Sequence, residues 1–188
     1  LDLNGHTCWL SDLKGNATIT CSKPVPCPYK YFRFDVRERM NGPHFELGAL
    51  ALYAADGTVQ STGITTDLSV TTPTALPPGK CFTKDTTLGQ NSHYGYKDAE
   101  KVDHLFDTNL ANKWCVGYLA GGATEVVTVW FRLRDDAKGV VGYNLATSYQ
   151  ISSLPDRRPK AWTLSGSSDG VNWVTLDVRD NQNVTTSN

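Results

Sequence analysis

Apolar and polar residues alternate along several stretches of the chain. Within Tyr31–Arg39, Phe32, Phe34 and Val36 alternate with charged residues, and residues 125–133 repeat the pattern. Such alternation is typical of a β-strand with one buried face. Four further strands are predicted, at residues 47–53, 140–147, 161–165 and 173–178. Residues 47–53 are apolar on both faces, which favours a central strand.

Turn residues separate these predicted strands. Asp-Gly at residues 56–57, an Asp-rich stretch at 135–139 and Ser-Asp-Gly at 168–170 all favour chain reversal. Helical periodicity is nearly absent, and the proline-rich residues 71–79 are expected to form a loop that crosses between sheets or ends. Short strands joined by such turns predict an all-β fold, an antiparallel β-sandwich.

The length of 188 residues suits one domain. Residues 1–28 carry three cysteines and three prolines with little strand pattern, and we expect a disulfide-stapled extension there. The β-sandwich is predicted over residues 29–180. Residues 181–188 are predicted to be a tail or a linker.

Charge and hydropathy narrow the range of partners. Lys and Arg total 18 and Asp and Glu total 19, so the net charge of −1 gives no electrostatic reason to expect a nucleic acid or an anionic membrane. The sequence has no apolar run approaching the roughly 20 residues that span a bilayer. We therefore expect no nucleic-acid partner and no membrane insertion.

Cysteines and glycosylation sequons favour an oxidising compartment. The sequence has five cysteines but neither a CxxC pair nor zinc-ligand spacing, which favours disulfides. The triplets at Asn16 and Asn183 are glycosylation acceptors that matter in a secreted chain. We expect a secreted or cell-surface protein. The sequence does not fix connectivity; the favoured pairs are Cys8 with Cys21 and Cys81 with Cys115, and the odd cysteine, Cys27, is then free or pairs outside this chain.

The latter part of the chain carries a long family-like motif. Tyr-Asn-Leu-Ala-Thr at residues 143–147 is followed at 156–173 by DRRPKAWTLSGSSDGVNW. This combination resembles the discoidin, or coagulation factor C-type, family, whose members are galactose-binding-domain-like jelly rolls. Residues 31–34 and 47–53 are similar to the last two strands of that family but come first here. The resemblance therefore implies a circularly permuted jelly roll.

A calcium loop is a further expectation from the resemblance. Residues 105–114, LFDTNLANKW, look like the family's calcium-binding turn. A turn with carboxylate, amide and carbonyl oxygens suits this hard cation. Thr108 and Ala49 depart from the family pattern: Thr108 stands where the family has a Gly, and Ala49 stands where the family has a Glu. The alternative is a calcium-free loop held by Asp and Asn hydrogen bonds. The implied ligand positions are Leu105, Asp107, Asn109 and Asn112.

Loops at one end of the predicted sandwich are candidates for ligand binding. In the family, aromatic rings there stack on sugars while Arg, His or Asn side chains bond the hydroxyls. The candidate loops are residues 40–45, 89–96 and 148–158. The alternatives are that the tyrosines pack beneath their loop and that the arginines are structural. The candidate ligand-binding residues are His44, His93, Tyr94, Tyr96, Arg157 and Arg158.

Signals of catalysis are poor. Residues 166–170 formally match G-x-S-x-G, but that motif needs a strand-to-helix turn, and a hairpin is expected here. The sequence therefore predicts a non-catalytic, extracellular carbohydrate-binding module, part of a larger multidomain or multimeric protein that binds a glycan or glycoprotein. The alternative is a structural or adhesive module that binds protein in a fibre, matrix or cell-surface assembly.

Overall fold

The computed structural model describes residues 26–107, 109–119, 122–148 and 157–184. Cys8, Cys21 and Asn16 lie outside these residues, so the predicted Cys8–Cys21 bond and the first predicted glycosylation site stay predictions. So does the boundary of the N-terminal extension. No helix within the described residues is long and apolar enough to cross a membrane.

Strand is the main regular structure of the described chain, at 39% against 10% helix, and this confirms a β-rich fold. All of its helices are short 3₁₀ turns, at Pro73–Ala75, Asp98–Glu100, Val102–Phe106 and Gly122–Thr124. The ten strands are β1 (Tyr31–Arg39), β2 (Phe45–Leu47), β3 (Ala49–Ala54), β4 (Thr65–Thr66), β5 (Lys80–Thr83), β6 (Trp114–Val116), β7 (Val127–Arg132), β8 (Val140–Ala146), β9 (Pro159–Ser167) and β10 (Val174–Arg179).

Six strands form the largest sheet, in the order β10-β9-β1-β7-β5-β4. All neighbours are antiparallel except β4 and β5. The front strand β1 lies between β7 and β9, with Phe34 opposite both Val129 and Leu164. The segment around Phe32 thus lies beside the tryptophan-bearing hairpin, whereas the segment around Leu50, in β3, pairs with β8 in a separate sheet.

The predicted strand at residues 47–53 divides at Gly48. A Cβ atom there would lie 2.7 Å from the backbone nitrogen of Ser148, so only glycine permits this close approach of two backbones. The expectation of a central strand is wrong, because β3 has a single strand partner, β8. Its other edge is bonded instead by residues 58–61, including a bond from the Gln60 N–H to the Leu52 carbonyl (2.7 Å). This segment covers the edge of β3 that faces away from β8.

Two short ribbons, β2–β6 and β3–β8, share one hydrophobic core with the large sheet. The core joins residues that are far apart in the sequence, and each sheet contributes large side chains to it. Trp162 links β9 to the β3–β8 ribbon, since its indole N–H donates to the Tyr143 hydroxyl of β8 (2.8 Å). That hydroxyl donates in turn to Asp177 of β10. The largest fully buried apolar side chains of this core are Phe32, Phe34, Phe45, Leu47, Leu50, Leu52, Ile64, Phe106, Trp114 and Phe131.

The tip of the late hairpin is held by Asp169. Its Oδ1 accepts hydrogen bonds from the backbone N–H groups of Val171 and Asn172, each at 2.8 Å. The Ser167 hydroxyl donates to the same oxygen (2.9 Å). These donors hold the pKa of Asp169 well below its usual value. The G-x-S-x-G match thus lies in a β-hairpin, as expected. Trp173 braces it from the side, beneath the Arg33 guanidinium at 5.5 Å.

Candidate functional site

Three loops meet beside the β2–β6 ribbon: residues 40–44, 89–96 and 117–119. The Leu119 N–H donates to the Pro43 carbonyl (3.0 Å), and the Tyr96 N–H donates to the Cys115 carbonyl (2.9 Å). These backbone bonds fix the loops to the ribbon and bring three rings together. We call the rings of His44, Tyr96 and Tyr118 the aromatic surface.

Tyr118 is the most unusual residue of the aromatic surface. It is 51% exposed, and its φ of 48° lies in the left-handed region that non-glycine residues avoid. Such a conformation costs about 1–2 kcal/mol. The ring lies 4.6 Å from that of His44, at 66°, so it meets the histidine edge-on. Strained residues concentrate at functional sites, which makes this outlier a pointer to function.

Gly117 lets the rings approach one another. A Cβ atom there would lie 3.2 Å from the Gln90 carbonyl oxygen, 3.4 Å from the Tyr96 ring and 3.5 Å from Nδ1 of His44. Any larger residue would crowd these groups apart. The close spacing of His44 and Tyr96 therefore depends on a glycine at this position.

A buried carboxylate lies beneath the aromatic surface. Glu46 of β2 is fully buried and accepts a hydrogen bond from the Ser148 hydroxyl. Its Oε2 lies 3.4 Å from Lys113 Nζ and 3.7 Å from Arg157 Nη1. Lys113 also reaches Glu100, at 3.3 Å. The ribbon thus carries a network of alternating charges under the loops.

Arg157 influences the aromatic surface electrostatically. The pKa of His44 lies below its usual 6.5, first because the ring is partly buried and second because the positive charge of Arg157 is near. A depressed pKa keeps the imidazole of His44 neutral at physiological pH. A neutral imidazole can both donate and accept hydrogen bonds.

The predicted ligand residues divide into two groups. His44, Tyr96 and Arg157 come together, and Tyr96 is 36% exposed. His93 and Tyr94 are buried instead, at 0% and 6% exposure. Of the two tyrosines expected to stack on a sugar, Tyr96 is therefore on the surface, whereas the alternative that the ring packs beneath its loop applies to Tyr94.

His93 has a structural position. Its carbonyl oxygen accepts a bond from the Trp114 indole (2.8 Å), and its Nε2 lies 3.4 Å from Glu125. Burial, and secondarily the charge of Lys84, lower the pKa of His93. Its ring therefore belongs to the core.

Arg158 points toward the tail of the chain. Its Nη1 donates to the side-chain oxygen of Asn183 (3.1 Å). Asn183 is the second predicted glycosylation site, and it is exposed. The two neighbouring arginines therefore differ in direction, with Arg157 toward the ribbon and Arg158 toward Asn183.

The predicted calcium loop is closed by nitrogen donors. Oδ1 of Asp107 accepts from the Asn109 N–H (2.8 Å), while Oδ2 accepts from the Asn112 amide (2.7 Å) and lies 3.0 Å from Nδ1 of His104. The Leu105 side chain is buried in the core. These donors face the carboxylate where a cation would bind, so the residues as arranged do not fit calcium. In the described residues, no group of three or more His, Cys, Asp or Glu is placed to hold a metal ion.

The expected bond between Cys81 and Cys115 is not formed. Both are buried free thiols. Cys81 lies on β5 in the large sheet, whereas Cys115 lies on β6 in a ribbon, so the two strands belong to different sheets. Burial raises the pKa of Cys115 to about 12 and that of Cys81 further, which keeps both thiols protonated.

Neither a protein-family model, nor a curated protein, nor a solved structure matches the chain. What the chain binds is therefore inferred from its own residues. Sequence reasoning missed Gly117 and Tyr118, the residues that organise the aromatic surface. The available signal was a Gly-Tyr pair directly after the apolar run Trp-Cys-Val, which forms β6.

Proposed function

We propose that the chain is a non-catalytic, extracellular carbohydrate-binding module that holds a glycan on the aromatic surface of His44, Tyr96 and Tyr118. The observation that carries the proposal is the exposed ring of Tyr118 on a strained backbone, in edge contact with His44. Aromatic faces pack against the C–H faces of sugar rings, and the neutral imidazole of His44 suits a sugar hydroxyl. The extracellular location rests on the predicted sequons.

For the fold, we propose a discoidin-like jelly roll that is circularly permuted. In this arrangement the β2–β6 and β3–β8 ribbons together form the layer opposite the large sheet. The shared core of the two ribbons and the large sheet supports the proposal. The place of β1 between β7 and β9 supports it as well, since an early segment there completes the sheet that ends with the late hairpin.

A glycan array tests the proposed function. Wild-type protein is expected to bind a defined set of glycans, and Tyr118→Ala is expected to weaken that binding by about tenfold or more. Leu68→Ala is the matched control, because Leu68 is also 51% exposed but lies outside the aromatic surface. An array without hits, or equal binding by both variants, would contradict the proposal.

One observation favours the second candidate, an adhesive module that binds protein. The edge strand β10 exposes Val174 and Val178 at 43% and 50%, and Val171 beside it is 62% exposed. An apolar edge strand is suited to pairing with a strand of another chain. A blank array together with a defined oligomer that Val178→Lys dissociates would favour this function over glycan binding.

A further inference from the structure

The charged groups beneath the aromatic surface form a chain of five alternating members. They are connected by Lys97–Glu100 (3.8 Å), Glu100–Lys113 (3.3 Å), Lys113–Glu46 (3.4 Å) and Glu46–Arg157 (3.7 Å). Both ends of the chain are cations, so three positive groups share two carboxylates.

Arg157 is only loosely bound by its carboxylate. Oε1 of Glu46 accepts the Ser148 hydroxyl, and its Oε2 is shared between Lys113 and Arg157. The contact to Arg157, at 3.7 Å, is longer than a hydrogen bond. Within the described part of the chain, the Arg157 guanidinium makes no hydrogen bond, so its donors are available to a ligand.

Two cations of this network lie near the aromatic surface. Lys97 directly follows Tyr96 and its side chain is 62% exposed, whereas the side chain of Arg157 is 26% exposed. Arg157 contacts Glu46, two residues from His44 in the sequence, at 3.7 Å. Burial, and secondarily the charge of Arg157, lower the pKa of the His44 ring, which agrees with a guanidinium near that ring.

We propose that the aromatic surface selects glycans that carry a carboxylate, with Arg157 binding the acid group while Tyr118 packs on the sugar ring. This inference rests on the proposed function and deepens it. A planar guanidinium binds a carboxylate through two parallel hydrogen bonds, which lysine cannot reproduce. Of the two exposed cations of this network, Lys97 and Arg157, only Arg157 carries this planar group, and it acts beside the neutral imidazole of His44.

Pairs of oligosaccharides test the inference by calorimetric titration. Sialyllactose against lactose, and a hyaluronan hexasaccharide against a neutral chitin oligomer, separate the two common sources of a sugar carboxylate. A heparin hexasaccharide supplies sulfate. We expect wild-type protein to bind at least one carboxylated ligand about tenfold or more tightly than its neutral partner, with weaker binding at high salt.

Arg157→Gln should remove that preference, so that the carboxylated ligand binds no more tightly than its neutral partner. Arg158→Gln is the matched control, because it makes the same charge change at a neighbouring arginine that contacts Asn183 instead. Arg157→Lys should recover only part of the preference. Melting temperatures of all three variants establish that they are folded.

The outcomes distinguish this inference from the proposed function. Binding of neutral glycans with no carboxylate preference, a preference for heparin alone, or equal effects of Arg157→Gln and Arg158→Gln would overturn the role of Arg157 and leave glycan binding standing. If wild-type protein binds none of these ligands and no glycan on the array, both proposals fail together.

Discussion

Glu46 and Arg39 are both fully buried charged side chains, yet their surroundings differ. Glu46 is surrounded by the Ser148 hydroxyl and two cations. The Arg39 Nη1 donates to the backbone carbonyl of Glu125 (2.7 Å), while its Nε and Nη2 have no partner among the described residues. Burial lowers the pKa of Arg39 to about 10, against the opposing charge of Glu125.

The comparison indicates which of the two buried charges the stability of the fold depends on. That charge is Glu46, because its partners need it, whereas Arg39 is poorly paired. Removing one partner from a buried ion network leaves the others uncompensated and is strongly destabilising. Replacing a poorly paired buried charge by an apolar side chain of similar length is often neutral or favourable.

The largest expected effect is that of Glu46→Gln. It would leave Lys113 and Arg157 without their shared carboxylate, and we expect the free energy of unfolding to fall by about 3–5 kcal/mol. Urea denaturation measures this. Glu38→Gln is the control, since Glu38 forms a partly exposed pair with Lys160 and should lose about 1 kcal/mol or less. Equal losses in the two variants would remove the distinction between network and surface pair.

The second expected effect is a pH dependence of stability that arises from His93. Like Arg39, His93 is a buried side chain whose pKa is lowered mainly by burial. Its ring faces Lys84, Asp85 and Glu125, and burial is the main cause of its lowered pKa. Because the unfolded chain protonates near the ordinary value of 6.5 and the folded chain only below it, the stability contribution is complete above about pH 6.5. It is lost as the pH falls toward the folded pKa.

Urea denaturation between pH 7.5 and 5 should therefore show a decline in stability that His93→Gln flattens. The partly buried His44 shifts in the same direction, so His44→Gln is the comparison variant and should flatten the profile less. An unchanged profile in His93→Gln would show that the ring is not the titrating group.

Arg39→Met should change stability by no more than about 1 kcal/mol, because the apolar chain fills the same space without a desolvated charge. Chemical denaturation of Arg39→Met and Glu46→Gln under the same conditions compares the two stability changes directly. A loss as large as that of the Glu46 variant would mean that the unpartnered N–H groups of Arg39 are satisfied by ordered water.

The smallest expected effect is that of calcium. The oxygens of Asp107 already accept bonds from Asn109 and Asn112, so millimolar calcium should leave the melting temperature unchanged relative to chelator. A calcium-dependent increase that Asp107→Asn abolishes would instead show that the loop rearranges around the ion. That result would restore the calcium prediction made from the family resemblance.

Local patterns predicted much of the large sheet. β1 has the predicted bounds because its alternation reflects one buried face, and β7, β9 and β10 of the same sheet lie within two residues of their predicted bounds, as does β8 of the β3–β8 ribbon. β4, β5 and β6 were missed because two to four residues are too few to show a period. The division at Gly48 depends on Ser148, a contact across a hundred residues that no local pattern contains.

The candidate site was harder to predict for a related reason. Tyr94 and Tyr96 share one loop, and residue type alone does not show which of the two rings turns inward. Tyr118 follows a strand that was itself not predicted. The network of Glu46, Lys113 and Arg157 draws on three distant segments, so its charges have no common signature in the sequence.

The position of β1 in the middle of the large sheet bears on how the protein is made. Both of its neighbours are synthesised much later, since β7 begins at Val127 and β9 at Pro159. Until then a nascent chain carries the Phe32 and Phe34 segment with both strand edges unpaired, a condition that invites aggregation. The interleaved charges of Arg33, Asp35 and Arg37 oppose such association, because a misplaced partner strand would have to bury them.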